Sequence, residues 1–145
     1  MAHPYSASKK PTKGFSLIEL LIVITIIGIL AAIVFPNYST YVQKGHRTDA
    51  ISSLINLEAA QENYRFSNAS YATTFVQLQS YSSGITSTSP LSYYSLSISA
   101  VTSTGYTLTA TATGAQASDT TCATITITLA AGVETKAPST CWQGY

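Results

Sequence analysis

A run of 21 residues, from Phe15 to Phe35, carries a single charge, that of Glu19. As an α-helix rising about 1.5 Å per residue it is about 31 Å long, close to the thickness of one bilayer hydrocarbon core. It is apolar on every side, which predicts a membrane-spanning helix rather than one face of a soluble core. An ionisable group inside such a helix is costly, so Glu19 is by default a functional residue. The competing reading of Glu19 is a carboxylate near a helix end that reaches back to the headgroups.

Residues before the run include Lys9, Lys10, Lys13 and Gly14. An ordinary secretory signal has an apolar core of about 7–15 residues with a small-residue cut site after it. This run is longer and reaches Pro36-Asn37 without such a site, so the cut is expected before it, after Gly14. Loss of residues 1–14 lowers the basic residues from seven to four and leaves all six acids, a formal charge of −2 before the new amino terminus is counted. The remaining cations are Lys44, Arg47, Arg65 and Lys136. They form no basic stripe able to displace counterions from a nucleic acid, so no nucleic acid partner is predicted.

The stretch Lys13-Gly14-Phe15-Ser16-Leu17-Ile18-Glu19-Leu20, continued by the apolar residues to Ile33 with Pro36 following, resembles type IV pilins, and PilE-like minor pilins in particular. The likeness is tightest over about the first 60 residues; beyond them the paired cysteines and the Cys141-Trp142 ending are similar. The resemblance implies cleavage between Gly14 and Phe15 by a prepilin peptidase and methylation of the new Phe15 amine. It implies that Glu19 recruits and registers incoming subunits by meeting that amine across the subunit boundary, and that the helix between Gly28 and Pro36 can loosen. The implied partners are other pilin subunits, the prepilin peptidase, an inner-membrane assembly platform and, before assembly, membrane lipid. The implied location is the inner membrane, single-pass with a cytoplasmic N-terminus, and then an extracellular pilus. Lysines before the run tip the orientation slightly the same way, against Lys44 and Arg47 after it.

Cys122 and Cys141 are the only cysteines. A lone pair in a translocated domain points to one disulfide. Two free thiols or a metal pair are the alternatives; zinc would need two more ligands, and His46 is the only histidine after the leader. No metal and no cofactor is predicted.

From Tyr38 to Phe66 helical periodicity persists but becomes one-sided. Ala50, Leu54, Leu57 and Tyr64 share a face widened by Ile51 and Ile55, and Lys44, Arg47, Asp49, Glu58, Glu62 and Arg65 take the rest. One helix of about 50 residues, roughly 75 Å long, is predicted, with a kink at Pro36, which cannot donate to the Ala32 carbonyl. Residues 67–90 are rich in Ser, Thr and Tyr and read as irregular. Leu91–Ser99, Tyr106–Thr113 and Cys122–Leu129 alternate apolar residues with Ser or Thr, the mark of half-buried strands, and Val133–Lys136 adds a short fourth. The expected fold is α+β: a long N-terminal helix, its apolar half protruding, packed on a small antiparallel sheet. Its parts are a leader (1–14), an apolar assembly helix (15–36), the amphipathic half of that helix (37–66) and a globular head (67–145).

Charged residues are only 9% of the chain, and the head offers no converging titratable groups, so an enzyme is not predicted. His46 reads as a solvated helix-face residue. Asn68-Ala69-Ser70 fits the N-glycosylation pattern, a short and frequent match read here as chance. The function expected is that of a structural subunit, a minor pilin, supporting pilus assembly and pilus-dependent motility or adhesion. The alternatives are a pseudopilin of a type II secretion system and a DNA-uptake pilin.

Overall fold

The computed structural model describes residues 14–145, with residues 35–37 described by backbone alone. Apart from Gly14, the expected leader lies outside the described residues. Helix α1 runs Leu17–Ser67, and a short helix α2 occupies Phe75–Gln79. Four strands follow: β1 (Tyr94–Ser99), β2 (Tyr106–Ala112), β3 (Thr124–Ala130) and β4 (Val133–Ala137). The chain divides into two compact units, one ending at Tyr38 and the other Ser39–Tyr145.

In the first unit α1 is apolar all round. Its large side chains from Leu17 to Val34 are exposed within the chain. Thr25, the one hydroxyl inside this stretch, donates to the Leu21 carbonyl at 2.7 Å, which satisfies it without water.

The second unit is an α+β head. The strands form an antiparallel meander in the order β1-β2-β3-β4, with Leu96 opposite Ala110, Ala110 opposite Ile125 and Leu108 opposite Ile127. Because side chains alternate between faces, this register turns Tyr94, Leu96, Tyr106, Leu108, Ile125 and Ile127 inward. They join Ala50, Ile51, Leu54, Leu57 and Ala60 of α1 in one buried cluster. The outward face is hydroxyl-bearing almost throughout, with Ser97 opposite Thr109 and Thr109 opposite Thr126. Where threonines face each other across strands they can bond, as Thr107 and Thr128 do at 3.4 Å. Hydroxyls thus replace charge on this surface, which accounts for the low charged fraction. Gly105, before β2, is constrained by packing: a Cβ there would run into the Leu129 carbonyl oxygen.

Three expectations need correction. Residues 67–90 contain α2, fixed by a capping box in which the Thr74 hydroxyl accepts from Gln77 N and the Gln77 side chain accepts from Thr74 N. Ile55, placed on the apolar stripe, is exposed, whereas Asp49, placed on the polar side, is buried. Asp49 Oδ1 accepts from the Leu91 amide at 3.2 Å, so the buried arc of α1 is rotated toward Asp49. Ser53 and Gln61 are buried on it as well. Gln61 imitates a strand partner, donating to the Ala72 carbonyl at 2.9 Å and accepting from the Ala72 amide at 2.8 Å.

Cys122 and Cys141 are joined, with Cα atoms 5.9 Å apart and a sequence separation of 19. The bond fastens the C-terminal segment to the start of β3. In the chain-entropy model a loop of this size contributes about 3 kcal/mol. Cys122→Ala/Cys141→Ala is therefore expected to lower the unfolding free energy by about that amount in urea titrations, with α1 retained; an unchanged midpoint would contradict it.

Candidate functional site

The expected processing and assembly residues fall at one end of α1. Gly14 and Phe15 precede the helix, and the Phe15 side chain is 80% exposed. The Ser16 carbonyl accepts from the Glu19 and Leu20 amides at 3.1 and 3.2 Å, which starts the helix directly after the Gly-Phe junction. Glu19 is exposed in the first turn, where a carboxylate suits the positive end of the helix dipole. It therefore lies one turn from the Phe15 backbone. Its neighbours Ile18, Leu20, Leu21 and Ile22 are all exposed hydrocarbon, so the only charge offered by residues 14–34 is presented at that end. Gly28 has open space around its Cα. The backbone stays helical through both Gly28 and Pro36.

A second constellation, in the head, was not expected. His46 stacks on Tyr93 with ring centroids 3.5 Å apart and planes 14° from parallel. Its Nδ1 lies 2.9 Å from Gln116 Oε1, the geometry of an N–H donor. Gln116 Nε2 donates in turn toward the Tyr94 hydroxyl at 3.1 Å, the Gln43 carbonyl at 3.2 Å and Asp119 at 3.3 Å. Arg47 grips Asp119 with two bonds, Nε at 2.7 Å and Nη2 at 2.8 Å, a pairing that raises the Arg47 pKa further. The Asp119 side chain is only 3% exposed. His46 is thus half-buried and doubly held rather than solvated. The whole network clamps α1 to the loop before Cys122. It is a brace: each polar group satisfies a neighbour, and no nucleophile–base pair arises.

Other contacts are local. Asn68, in the glycosylation-like triplet, donates to the Tyr64 carbonyl at 2.8 Å and so closes the end of α1. Of the four cations in the described residues, Arg47 is held by Asp119, Lys136 by Glu134 at 2.9 Å, and Arg65 by the Ser103 and Asn68 carbonyls.

Residues 36–126 match the family model described as type IV minor pilin ComP, DNA uptake sequence receptor. The chain belongs to this family of type IV minor pilins. Residues 9–35 match the prokaryotic N-terminal methylation motif, so the two matches meet at Pro36 and together span the apolar helix and most of the head. The type II secretion system core protein G of Klebsiella pneumoniae is 40% identical over 67 residues, 46% of this chain and 48% of that one. The core protein G of Escherichia coli K12 is 40% identical over 68 residues, 47% of each. A fimbrial protein of Pseudomonas aeruginosa is 50% identical over 54 residues, 37% of this chain and 35% of that one. The chain spans about half the length, or less, of these relatives. The pilin resemblance of the N-terminal residues is therefore matched by an independent likeness in the head.

Proposed function

We propose that this pilin-family chain is a structural subunit, a minor one, of a type IV pilus and not an enzyme. The observation that carries the reading is the exposed, almost uncharged surface of α1 from Leu17 to Val34, preceded by a methylation motif. Such a surface cannot remain in water. Lipid covers it before assembly, and the helices of neighbouring pilins replace that lipid in a filament core.

In this reading a prepilin peptidase cuts between Gly14 and Phe15, and the Phe15 amine is methylated. The chain then waits in the inner membrane as a single-pass protein with its N-terminus toward the cytoplasm, the disulfide-bearing head lying outside. Lipid tails are as apolar as leucine, so helix association in the bilayer draws on packing and polar pairing rather than on the hydrophobic effect. Glu19 supplies the polar pairing, by attracting the Phe15 amine of an adjoining subunit on an assembly platform. Gly28 lowers helix propensity by about 1 kcal/mol relative to Ala, and Pro36 removes a backbone donor. Both favour local loosening of the helix when the subunit moves from bilayer to filament.

The relatives named core protein G favour a pseudopilus as the rival assembly, since the apolar helix serves either. Filaments sheared from cells lacking the secretion machine should still contain the chain, and filaments from cells lacking the pilus machine should not. The reverse pattern would assign it to a secretion pseudopilus.

The match across 36–126 also favours a second reading, that the head touches DNA. With four cations at most, the affinity for duplex DNA would fall with salt on a logarithmic slope no steeper than about −3.6. Titrating the mature chain with duplex DNA at several salt concentrations tests this; no binding at low salt removes the reading and leaves the structural one intact.

A further inference from the structure

The two edges of the sheet are not alike. Beside β1 the edge is covered: the Ser89 amide donates to the Tyr94 carbonyl at 2.9 Å and the Leu96 amide to the Ser87 carbonyl at 2.8 Å. At β4 the edge is open. β3 is the only strand beside it, and all five of its residues are exposed. Ala131 and Gly132, both at positive φ, make the two-residue turn that closes the β3–β4 hairpin at the pair Ala130–Val133. Val133, Thr135 and Ala137 therefore bond to β3, and Glu134 and Lys136 aim their backbone N–H and C=O groups outward. Among the described residues no hydrogen bond reaches these four groups.

An open edge invites another strand, and charged side chains ordinarily guard against it because an incoming strand leaves them unmatched. The guard on β4 matches itself. Its two charges are opposite in sign, lie on one face, and flank the middle residue, Thr135. Two antiparallel copies centred on Thr135 set Glu134 of each opposite Lys136 of the other. Opposite charges directly across strands attract, and like charges repel. The same register lets the outward groups of both copies make four backbone hydrogen bonds. It places Thr135 opposite itself and covers Val133, which is 66% exposed, with the second copy's Ala137. Centring on Glu134 or Lys136 instead sets a charge against its own kind, and centring between residues turns the bonding groups away from one another. The Ala131-Gly132 turn bounds the pairing at one end, and Pro138, which has no N–H, bounds it at the other.

We propose that β4 docks antiparallel on β4 of a second copy of this chain, in the register centred on Thr135. The two four-stranded sheets then become one continuous sheet. The two-fold axis stands normal to that sheet, and α1 shares a core with one face of it, so the head halves of the two α1 helices run in opposite directions. Chains within one polar filament share a direction. The pair therefore joins chains of two filaments lying side by side in opposite senses. That last step rests on the pilus reading; the pairing of heads does not. Five residues a side bury less than the roughly 1,200 Å² of a stable interface, so the pair is weak between single chains and strengthens where several copies are held together.

Disulfide crosslinking of the full chain tests this, under a mild oxidant and in detergent with micelles in excess of chains. Thr135 opposite itself is a non-hydrogen-bonded pair, with Cα atoms about 4.5 Å apart, within the span of a disulfide. Thr135→Cys should form a covalent dimer at least about fivefold faster than Val76→Cys, a collision control at a position 73% exposed. Peptide mapping should find the new bond between the two introduced cysteines and the Cys122–Cys141 bond intact. Adding Glu134→Lys or Lys136→Glu to Thr135→Cys should each lower the yield at least about fivefold, because two attractions become two repulsions. Mixing these two charge variants should restore it, since each then meets opposite charge on the other. Equal yields from Thr135→Cys and Val76→Cys, undiminished yields in the charge variants, or no recovery on mixing would overturn the pairing. Crosslinking as expected, with Glu134→Lys filaments that still lie together as wild type does, would overturn the link between filaments alone.

Discussion

Glu19→Ala is expected to enter the membrane normally and to be nearly absent from filaments. Removing a carboxylate from an apolar helix lowers the cost of insertion, so the membrane pool should hold or rise. Assembly should fail because the Phe15 amine of an adjoining subunit loses its counter-charge. At 4 Å and an effective dielectric of about 20, such a pair is worth about 4 kcal/mol. After allowance for the cost of desolvating both groups, a fall of at least about tenfold in the filament-to-membrane ratio is expected. Cleavage after Gly14 should continue, since the junction is untouched. Quantifying the variant in sheared filaments and in inner membranes checks this; equal partitioning with wild type would leave Glu19 as a snorkelling carboxylate.

The largest effect on folding is expected from Arg47→Met. The change keeps an unbranched, helix-compatible side chain but strands Asp119, whose carboxylate is almost wholly enclosed. Breaking a buried pair from one side costs about 3–5 kcal/mol, mostly because a charge is left without compensation. That is a large fraction of the roughly 5–15 kcal/mol that holds a typical domain together, and it corresponds to a melting temperature lower by about 10 °C or more. Thermal melts and urea titrations measure it. Arg47→Met/Asp119→Leu should recover much of the loss, because it removes the stranded charge. A single variant as stable as wild type would mean that Asp119 finds another partner.

Much of this architecture was legible in the sequence because its signals are local and repeated. The apolar run, the one-sided helix after it and the Ser/Thr alternation of the strands each persist over several residues, so periodicity identifies them. The alternation also places Leu96, Leu108 and Ile127 on the inward face. It does not set the register that puts Glu134 beside Leu129 or places the sheet over α1. For that reason the helix stripe was rotated: Ile55 faces solvent and Asp49 is covered.

Helix α2 was missed because five residues are too short for periodicity, although Thr74-x-x-Gln77 carried its capping signal. The N-terminal candidate residues stand out in the sequence, since an acid within hydrocarbon is conspicuous and the Gly14-Phe15 junction lies one turn before it; their role is the one proposed above. The head network does not stand out. His46 meets Gln116 and Arg47 meets Asp119 across about half the chain. Gln116 sits in a stretch of alanine and serine that nothing local distinguishes.

Intact-mass analysis of the chain recovered from sheared surface filaments tests the assembly account most directly. The account predicts a chain that begins at Phe15, carries one methyl group on its amine and retains the Cys122–Cys141 bond. Filaments that lack the chain, or a chain that still begins at Met1, would contradict it.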